Sequence, residues 1–264
     1  MLFYKINNKY KIIMEEKLNI ILLGKAGSGK GTQAKFLKEE YNLLHISSGD
    51  ILRRDEYQKI AKECINDGKL APDEAIANIL KIEINKEIEK RKKEIEKDNK
   101  IKPYYGIILD GFPRTPEQVK LLDQIIDLEK TIAINFDISN EVATQRIQKR
   151  AQLDGDKARK DDLSADAIQE RLDIYYNNYS GIKTFLEKEL TENKFIEINV
   201  EEKNKEQVFM ELCEKLVKQD ARLEIQTERL EKFNKQFKSA KLNEATVKTN
   251  GLCEQHSQIF SNKE

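Results

Sequence analysis

The chain carries no excess of either charge, few cysteines and no long apolar run, and each shortage removes a class of function. Its 47 Lys and Arg balance 47 Asp and Glu, so no global field draws it to nucleic acid or to an anionic membrane. The three cysteines, Cys64, Cys213 and Cys253, are far apart and odd in number. His256 follows Cys253 by three residues, but one such pair cannot fill a zinc site. Neither a disulfide framework nor a zinc centre is supported, and a reducing, cytoplasmic setting fits. The longest apolar runs are strand-sized, well below the ~20 residues of a membrane span. The first sixteen residues mix Phe3, Tyr4, Ile6, Tyr10, Ile12 and Ile13 with lysines and asparagines, unlike a signal-peptide core. Met14 is an alternative start, and residues 1–16 read as an extension.

What is present is concentrated in Ile20–Gln33. An apolar strand, Ile20 to Leu23, breaks into a glycine-rich turn that ends in Lys30, and a helical pattern follows. Glycines there let the backbone curl until several N–H groups face inward. Those donors and the positive end of the next helix form an anion cradle, which Lys30 completes with a point charge. The spacing Gly24…Gly29-Lys30 fits seven positions of the Walker A pattern in its strand–turn–helix context. At the eighth, Gly31 stands where Ser or Thr would meet magnesium, and Thr32 comes next. The expected guest is a nucleoside triphosphate.

Five segments read as strands: Asn19–Leu23, Leu43–Ile46, Gly106–Leu109, Ile132–Phe136 and Phe195–Val200. Helical patterns alternate with them, which predicts an α/β fold: a parallel sheet between two helical layers. Ligands of such sheets gather at the carboxyl ends of the strands, where three strands run into Gly24–Thr32, Ser47–Arg53 and Asp110–Arg114. Asp73 is placed to cap a helix from about Glu74, continuing as a solvated, charged helix through Lys97 with Ile84, Ile88 and Ile95 on one face. After about Leu216 a weak heptad of Leu216, Leu223, Leu230 and Phe237 suggests a helical tail, and the polar end from Ala245 suggests disorder.

Arginine is the other scarce residue: ten of the 47 basic side chains, leaving 37 lysines. A chain so biased to lysine should keep arginine where a planar, bidentate fork is needed. Six of the ten, Arg53, Arg114, Arg146, Arg150, Arg159 and Arg171, fall near strand ends or after the fourth strand. Converging on one crevice, they would suit two phosphorylated ligands. Pairing with nearby acids, such as Arg171 with Asp173 or Glu170, is the plainer alternative. His45 reads as structural, and Tyr175, Tyr176 and Tyr179 as packing residues.

Gly24–Gln33 (GKAGSGKGTQ), His45–Arg53 (HISSGDILR), Asp67–Leu70 (DGKL), Asp110–Gln118 (DGFPRTPEQ) and Arg159–Asp162 (RKDD) occur in the order seen in adenylate kinases. From about Leu18 to Leu216 the chain resembles that family. The residues alone lead to a P-loop enzyme for two phosphorylated ligands; the resemblance adds the substrates. It implies a P-loop α/β/α core at about 17–218, with an AMP-binding segment at about 47–76 and a short lid at about 150–163. A charged helical tail over 219–264 follows. The activity implied is ATP + AMP ⇌ 2 ADP, with magnesium as cofactor, in a cytoplasmic monomer that binds neither nucleic acid nor membrane.

Residue by residue, the resemblance gives Gly27, Ser28, Gly29, Lys30, Gly31 and Thr32 to the ATP phosphates. Arg146 goes to the ATP base, and Arg150, Arg159 and Arg171 to the phosphates, with Arg159 and Arg171 also reaching AMP. Ser48, Arg53, Lys69, Leu70, Ala71, Gly111, Phe112, Pro113, Arg114 and Gln118 form the AMP pocket. The Gln118 amide can read adenine with both a donor and an acceptor. Lys30, Arg114, Arg150, Arg159 and Arg171 form the transfer clamp. Asp110 and Asp50 would order waters around magnesium, and Asp161 and Asp162 would orient the lid arginines.

The chain departs from the family pattern at Lys25-Ala26, where a small residue and a proline are usual. Without that proline the loop should be freer, with Lys25 either attracting ATP or facing water. The lid, AQLDGDKARKDD, has no cysteine, which matches the form without zinc. A pyrimidine nucleoside monophosphate kinase of the same architecture is the nearest alternative. A non-catalytic nucleotide-binding scaffold is the alternative of another class.

Overall fold

The structure, a computed structural model, describes residues 18–57, 72–191 and 194–219. Five parallel strands form one sheet: β1 (Asn19–Gly24), β2 (Leu44–Ser47), β3 (Ile107–Asp110), β4 (Thr131–Asp137) and β5 (Phe195–Asn199). Their order is β2-β3-β1-β4-β5. The expected five-stranded parallel sheet is therefore present, each strand within a residue of its predicted ends. β1 and β4 are almost wholly buried, as suits strands covered on both faces. Ile20, Ile21 and Leu22 are fully inaccessible, each stabilising the fold by about 1.5–3 kcal/mol.

This order sets the position of the site. The chain winds from β1 out to β2, back to β3, then over β1 to β4. The winding reverses at β1, and a crevice opens beyond its carboxyl end. Register brings the polar motifs to that place, because Asp110 at the end of β3 lies between Leu22 of β1 and Ser47 of β2.

The helices are α1 (Lys30–Tyr41), α2 (Ser48–Leu52), α3 (Asp73–Lys97), α4 (Pro116–Val119), α5 (Asn140–Asp154), α6 (Ala165–Glu189) and α7 (Lys205–Gln219). Side-chain oxygens of Ser47, Thr115, Ser139 and Ser164 cap α2, α4, α5 and α6, which answers the unpaired N–H groups of each first turn. The proposed cap of α3 is corrected. Pro72 holds the cap position and Asp73 is the first helical residue; the Asp73 carboxylate accepts a hydrogen bond from Gln118 Nε2 at 2.7 Å. The inward stripe of α3 is Ile76, Ile79, Leu80, Ile84 and Ile88, while Ile82 is 48 % exposed.

The chain divides into two compact units, Met1–Phe209 and Met210–Glu264. The second contributes only the end of α7 to the described residues, with Leu212, Cys213 and Leu216 buried. The extension 1–16, the Asp67–Leu70 motif and the heptad beyond Gln219 lie outside them. Among the described residues no helix is long and apolar enough to cross a membrane.

Candidate active site

The helix after β1 begins against the usual rules. α1 has a glycine at its cap position and no side-chain cap, no acid in its first turn, and Lys30 as its first residue. A cation at a helix N-terminus opposes the helix dipole. Such a start makes sense where the N–H groups and Lys30 serve an anion. Gly27 carries φ +82°, and a Cβ there would come within 2.5 Å of the Ala143 carbonyl. The loop thus lies directly on α5, and only glycine fits.

Lys30 Nζ donates to the Gly24 and Lys25 carbonyls, the latter at 2.8 Å. Burial is the main reason its pKa is pushed down to about 8. Asp110 opposes that shift, while Arg114, Arg171 and Arg150 add to it. A half-buried lysine whose charge is felt by three arginines and one carboxylate marks a site built for more negative charge than the protein supplies.

Five of the six singled-out arginines come together here. The guanidinium groups of Arg53 and Arg114 converge over Gly49, 3.3 and 3.5 Å from where a Cβ would stand. Arg114 Nε donates to the Gly111 carbonyl at 2.8 Å. Arg114 is exposed at the crevice surface, and desolvation by the crevice walls chiefly lowers its pKa, helped by Arg171 and Arg53 and opposed by Asp110. Arg159 is lowered too, by burial and then by Arg53 and Arg150.

Arg150 and Arg171 are held from behind by Asp162, which is 3 % exposed. Its Oδ2 accepts from Arg150 at 2.9 and 2.6 Å, and its Oδ1 from Arg171 at 2.8 Å. Burial alone would raise its pKa, but the bonds from Arg171 and Arg150 hold it below the usual carboxylate range. Asp161 adds a 2.9 Å ion pair with Arg171. The pairing of Arg171 with Asp173 or Glu170 is thus replaced by Asp161 and Asp162.

Arg146 stands apart from this cluster. It donates to the Val200 and Glu201 carbonyls at 2.7 and 3.0 Å. With Gly27, Thr32, Gln33, Arg150 and Lys205 it lines a cavity of about 420 Å³, large enough for a nucleotide base and sugar. Gln33 donates to the Lys205 carbonyl at 2.8 Å. Ser28 Oγ and Gln33 Oε1 are buried without a hydrogen-bond partner; such atoms call for an explanation, and ligand binding is one.

On the opposite side, Ser48 Oγ donates to the Gly111 carbonyl at 2.6 Å. Gly111, at φ +79°, leaves room for it, since a Cβ would sit 2.9 Å from that oxygen. A cis peptide joins Phe112 to Pro113, and Phe112 is buried. Gln118 Oε1 accepts from the Arg114 backbone N–H at 2.7 Å. Lys69, Leu70 and Ala71 lie outside the described residues.

Among the described residues, no three or more His, Cys, Asp or Glu gather into a metal-binding group. Magnesium needs only one or two carboxylates when phosphates and waters supply the rest. Asp110 suits that part, because its Oδ2 lies 3.6 Å from where a Cβ on Gly31 would be. The carboxylate therefore borders the position of the missing hydroxyl. Asp50 accepts instead from Arg53 at 2.6 Å and Arg159 at 3.3 Å. Burial pushes its pKa up, yet the bonds from Arg53 and Ser47 outweigh this and lower it.

Four residues at or beside the crevice carry contacts that sequence reasoning did not anticipate. His45 Nε2 meets Asp110 Oδ2 at 3.3 Å. Asp73 fixes Gln118. Lys25 neither faces water nor reaches outward, because its Nζ donates to the Ile138 carbonyl at 2.7 Å. Glu83, 3 % exposed, accepts from Arg54, from Tyr57 at 2.8 Å and from Lys86 at 2.7 Å, joining the segment after α2 to α3. The strand-end place of His45 was a readable signal; the other three depend on contacts distant in sequence. Tyr175 and Tyr179 stack at 5.2 Å and bond Asn135, as packing residues should, whereas Tyr176 is 76 % exposed.

Comparison with known proteins places these features in context. A family model described as Adenylate kinase matches residues 22–249. The adenylate kinase of Azobacteroides pseudotrichonymphae is 36 % identical over 207 residues, 75 % of this chain and 97 % of its own length. That of Flavobacterium psychrophilum is 35 % identical over 176 residues, covering 64 % and 84 %. That of Parabacteroides distasonis is 36 % identical over 176 residues, covering 64 % and 83 %.

Proposed function

The chain belongs to the adenylate kinase family of nucleoside monophosphate phosphotransferases, and on that premise we propose that it catalyses ATP + AMP ⇌ 2 ADP with magnesium. The observation that carries this reading is the gathering of guanidinium groups around half-buried Lys30: Arg114 beside Arg53 over Gly49, and Arg150 with Arg171 on Asp162, all close enough to act on the Lys30 charge. A site that only held ATP would need the cradle. A site that transfers a phosphoryl group between two nucleotides needs a second set of cations facing the first, and Arg53 and Arg114 over Gly49 supply it.

ATP takes the loop Gly27–Thr32, with its base in the cavity beside Arg146. AMP takes the crevice side formed by Ser48, Arg53, Gly111–Arg114 and Gln118. The acceptor is a phosphate oxygen, ionised near neutrality, so no strong general base is required. Catalysis rests on aligning two anions and neutralising charge on the moving group. Lys30 leaves its carbonyl partners for the transferred group, and Arg150, Arg159 and Arg171 close on the phosphates. Asp110 would hold magnesium, which would supply further positive charge. Closure of the lid excludes water, the competing acceptor.

Gln118 favours adenine over pyrimidines. A coupled assay with AMP, UMP, CMP and GMP tests the reading. ADP should form from ATP plus AMP, with AMP preferred in kcat/KM by about 10²-fold or more. Absence of turnover, or preference for UMP or CMP, overturns it.

A further inference from the structure

We propose that Lys25 is a positioning residue that straps the phosphate loop to the helix supplying the ATP-side arginines. The role rests on the ATP-binding reading above and goes beyond it. Lys25 works through both ends of the residue. Its carbonyl accepts from Lys30 Nζ at 2.8 Å and from the Ser28 N–H at 3.2 Å. Its ammonium donates to the Ile138 carbonyl at 2.7 Å. Ile138 is 2 % exposed and directly precedes Ser139, whose hydroxyl caps α5. That helix carries Arg146 and Arg150 into the same cavity as Gly27 and Thr32.

Three contacts join the loop to this region. Gly24 pairs in register with Phe136, and Gly27 lies on the Ala143 carbonyl. Both are backbone approaches that need small residues, and neither fixes residues 25 and 26 between them. The lysine strap does, at the point where the chain has Ala26 and no proline to stiffen the turn. A loop held in its binding form before ATP arrives loses less conformational freedom on binding. A charge-assisted bond to a buried carbonyl is strong enough to matter there. Lys25 therefore acts on ATP affinity through the loop and does not touch the phosphates.

The test is equilibrium titration with ATP and, separately, with AMP, for the wild type, Lys25→Met and Lys25→Arg, at low and high salt. Binding is read without turnover, so the result stands apart from the assay of the proposed reaction. Lys25→Met removes the donor and keeps the bulk; it should weaken ATP binding about tenfold, the scale of one charge-assisted bond. AMP binding should stay unchanged, and Lys25→Arg should restore most of the ATP affinity. Amide exchange at residues 24–28 should quicken in Lys25→Met. Unchanged ATP affinity, or equal losses for ATP and AMP, overturns the proposal. So does a defect that vanishes at high salt, which would mark plain attraction between Lys25 and ATP. Should Lys25→Met fail to fold, Lys25→Leu, which also lacks a donor, carries the same comparison.

Discussion

Arg159 and Asp50, 109 residues apart in the chain, meet at 3.3 Å. The pair joins the segment between α5 and α6 to α2. The two side chains are 37 % and 54 % exposed, so the bond contributes at most about 1 kcal/mol. Asp50 also holds Arg53, and so one carboxylate occupies two guanidinium groups assigned to phosphate. On the proposed reading a phosphate group would take over both partners, and substrate would release the tie.

A weak, exposed ion pair should respond to salt. Between about 0.05 and 0.5 M ionic strength the screening length falls several-fold. Fluorescent labels on the lid and on α2 should then report a longer mean separation in the nucleotide-free protein. A ligand spanning both nucleotide sites should abolish the change. A salt-independent separation would mean that other contacts hold the two segments together.

Lys30 and Arg114 carry the charge argument most directly. Lys30→Met and Arg114→Ala should each reduce kcat by at least about 10²-fold, the scale for groups that stabilise transition-state charge. Circular dichroism should remain that of the wild type, because each side chain bonds chiefly to loop carbonyls. Near-normal turnover in either variant would show that the transfer site lies elsewhere.

The lowered pKa of Lys30 makes ATP binding depend on pH. Burial, reinforced by Arg114, Arg171 and Arg150 and opposed by Asp110, brings it to about 8 in the nucleotide-free protein. A bound polyphosphate favours the charged ammonium and raises the pKa in the complex. ATP affinity should be level below pH 8 and fall above it, by no more than about tenfold per pH unit. Lys30→Met should lose that decline. The sign for stability is separate: between pH 8 and 10.5 the unfolded chain holds the Lys30 proton more tightly. The burial cost is thus fully present below pH 8 and is relieved as pH rises to 10.5. Calorimetric titration across pH 7–9.5 checks the binding half, and a pH-independent ATP affinity in the wild type would refute it.

Much of this site could be read from the sequence because its parts are local. The glycine turn and the strand-end motifs each depend on neighbours a few residues away. Strand existence followed from the apolar runs, and the strand ends shifted by a residue because ladder pairing, rather than hydrophobicity, decides the last one. The convergence of Arg53, Arg114, Arg150, Arg159 and Arg171 was legible through the scarcity of arginine. Lys25, Asp73 and Glu83 were not. Lys25 was assigned to solvent or ATP because a lysine in a polar turn has no sequence mark of a distant carbonyl. Asp73 fits a cap by composition, and only the fold reveals that Gln118 competes for it. Glu83 sits in a run of Lys and Glu that reads as solvated, and its burial depends on residues after α2 packing against α3.

Asp73 leads to the last prediction. A carboxylate can only accept, so Asp73 requires Gln118 Nε2 on its side, while the Arg114 backbone N–H requires Oε1 on the other. The two contacts agree on one amide orientation and leave one donor and one acceptor valence for a base. Asp73→Ala removes one of the two constraints and about 1.5 kcal/mol of charge-assisted bonding. The expected result is a KM for AMP raised about tenfold, with KM for ATP unchanged and kcat within about twofold. Loss of helix-terminal charge on α3 should cost under about 1 kcal/mol, so the variant folds. An unaltered KM for AMP would mean that Gln118 does not read the base, and a matching rise in KM for ATP would mean that the substitution disturbs the fold as a whole.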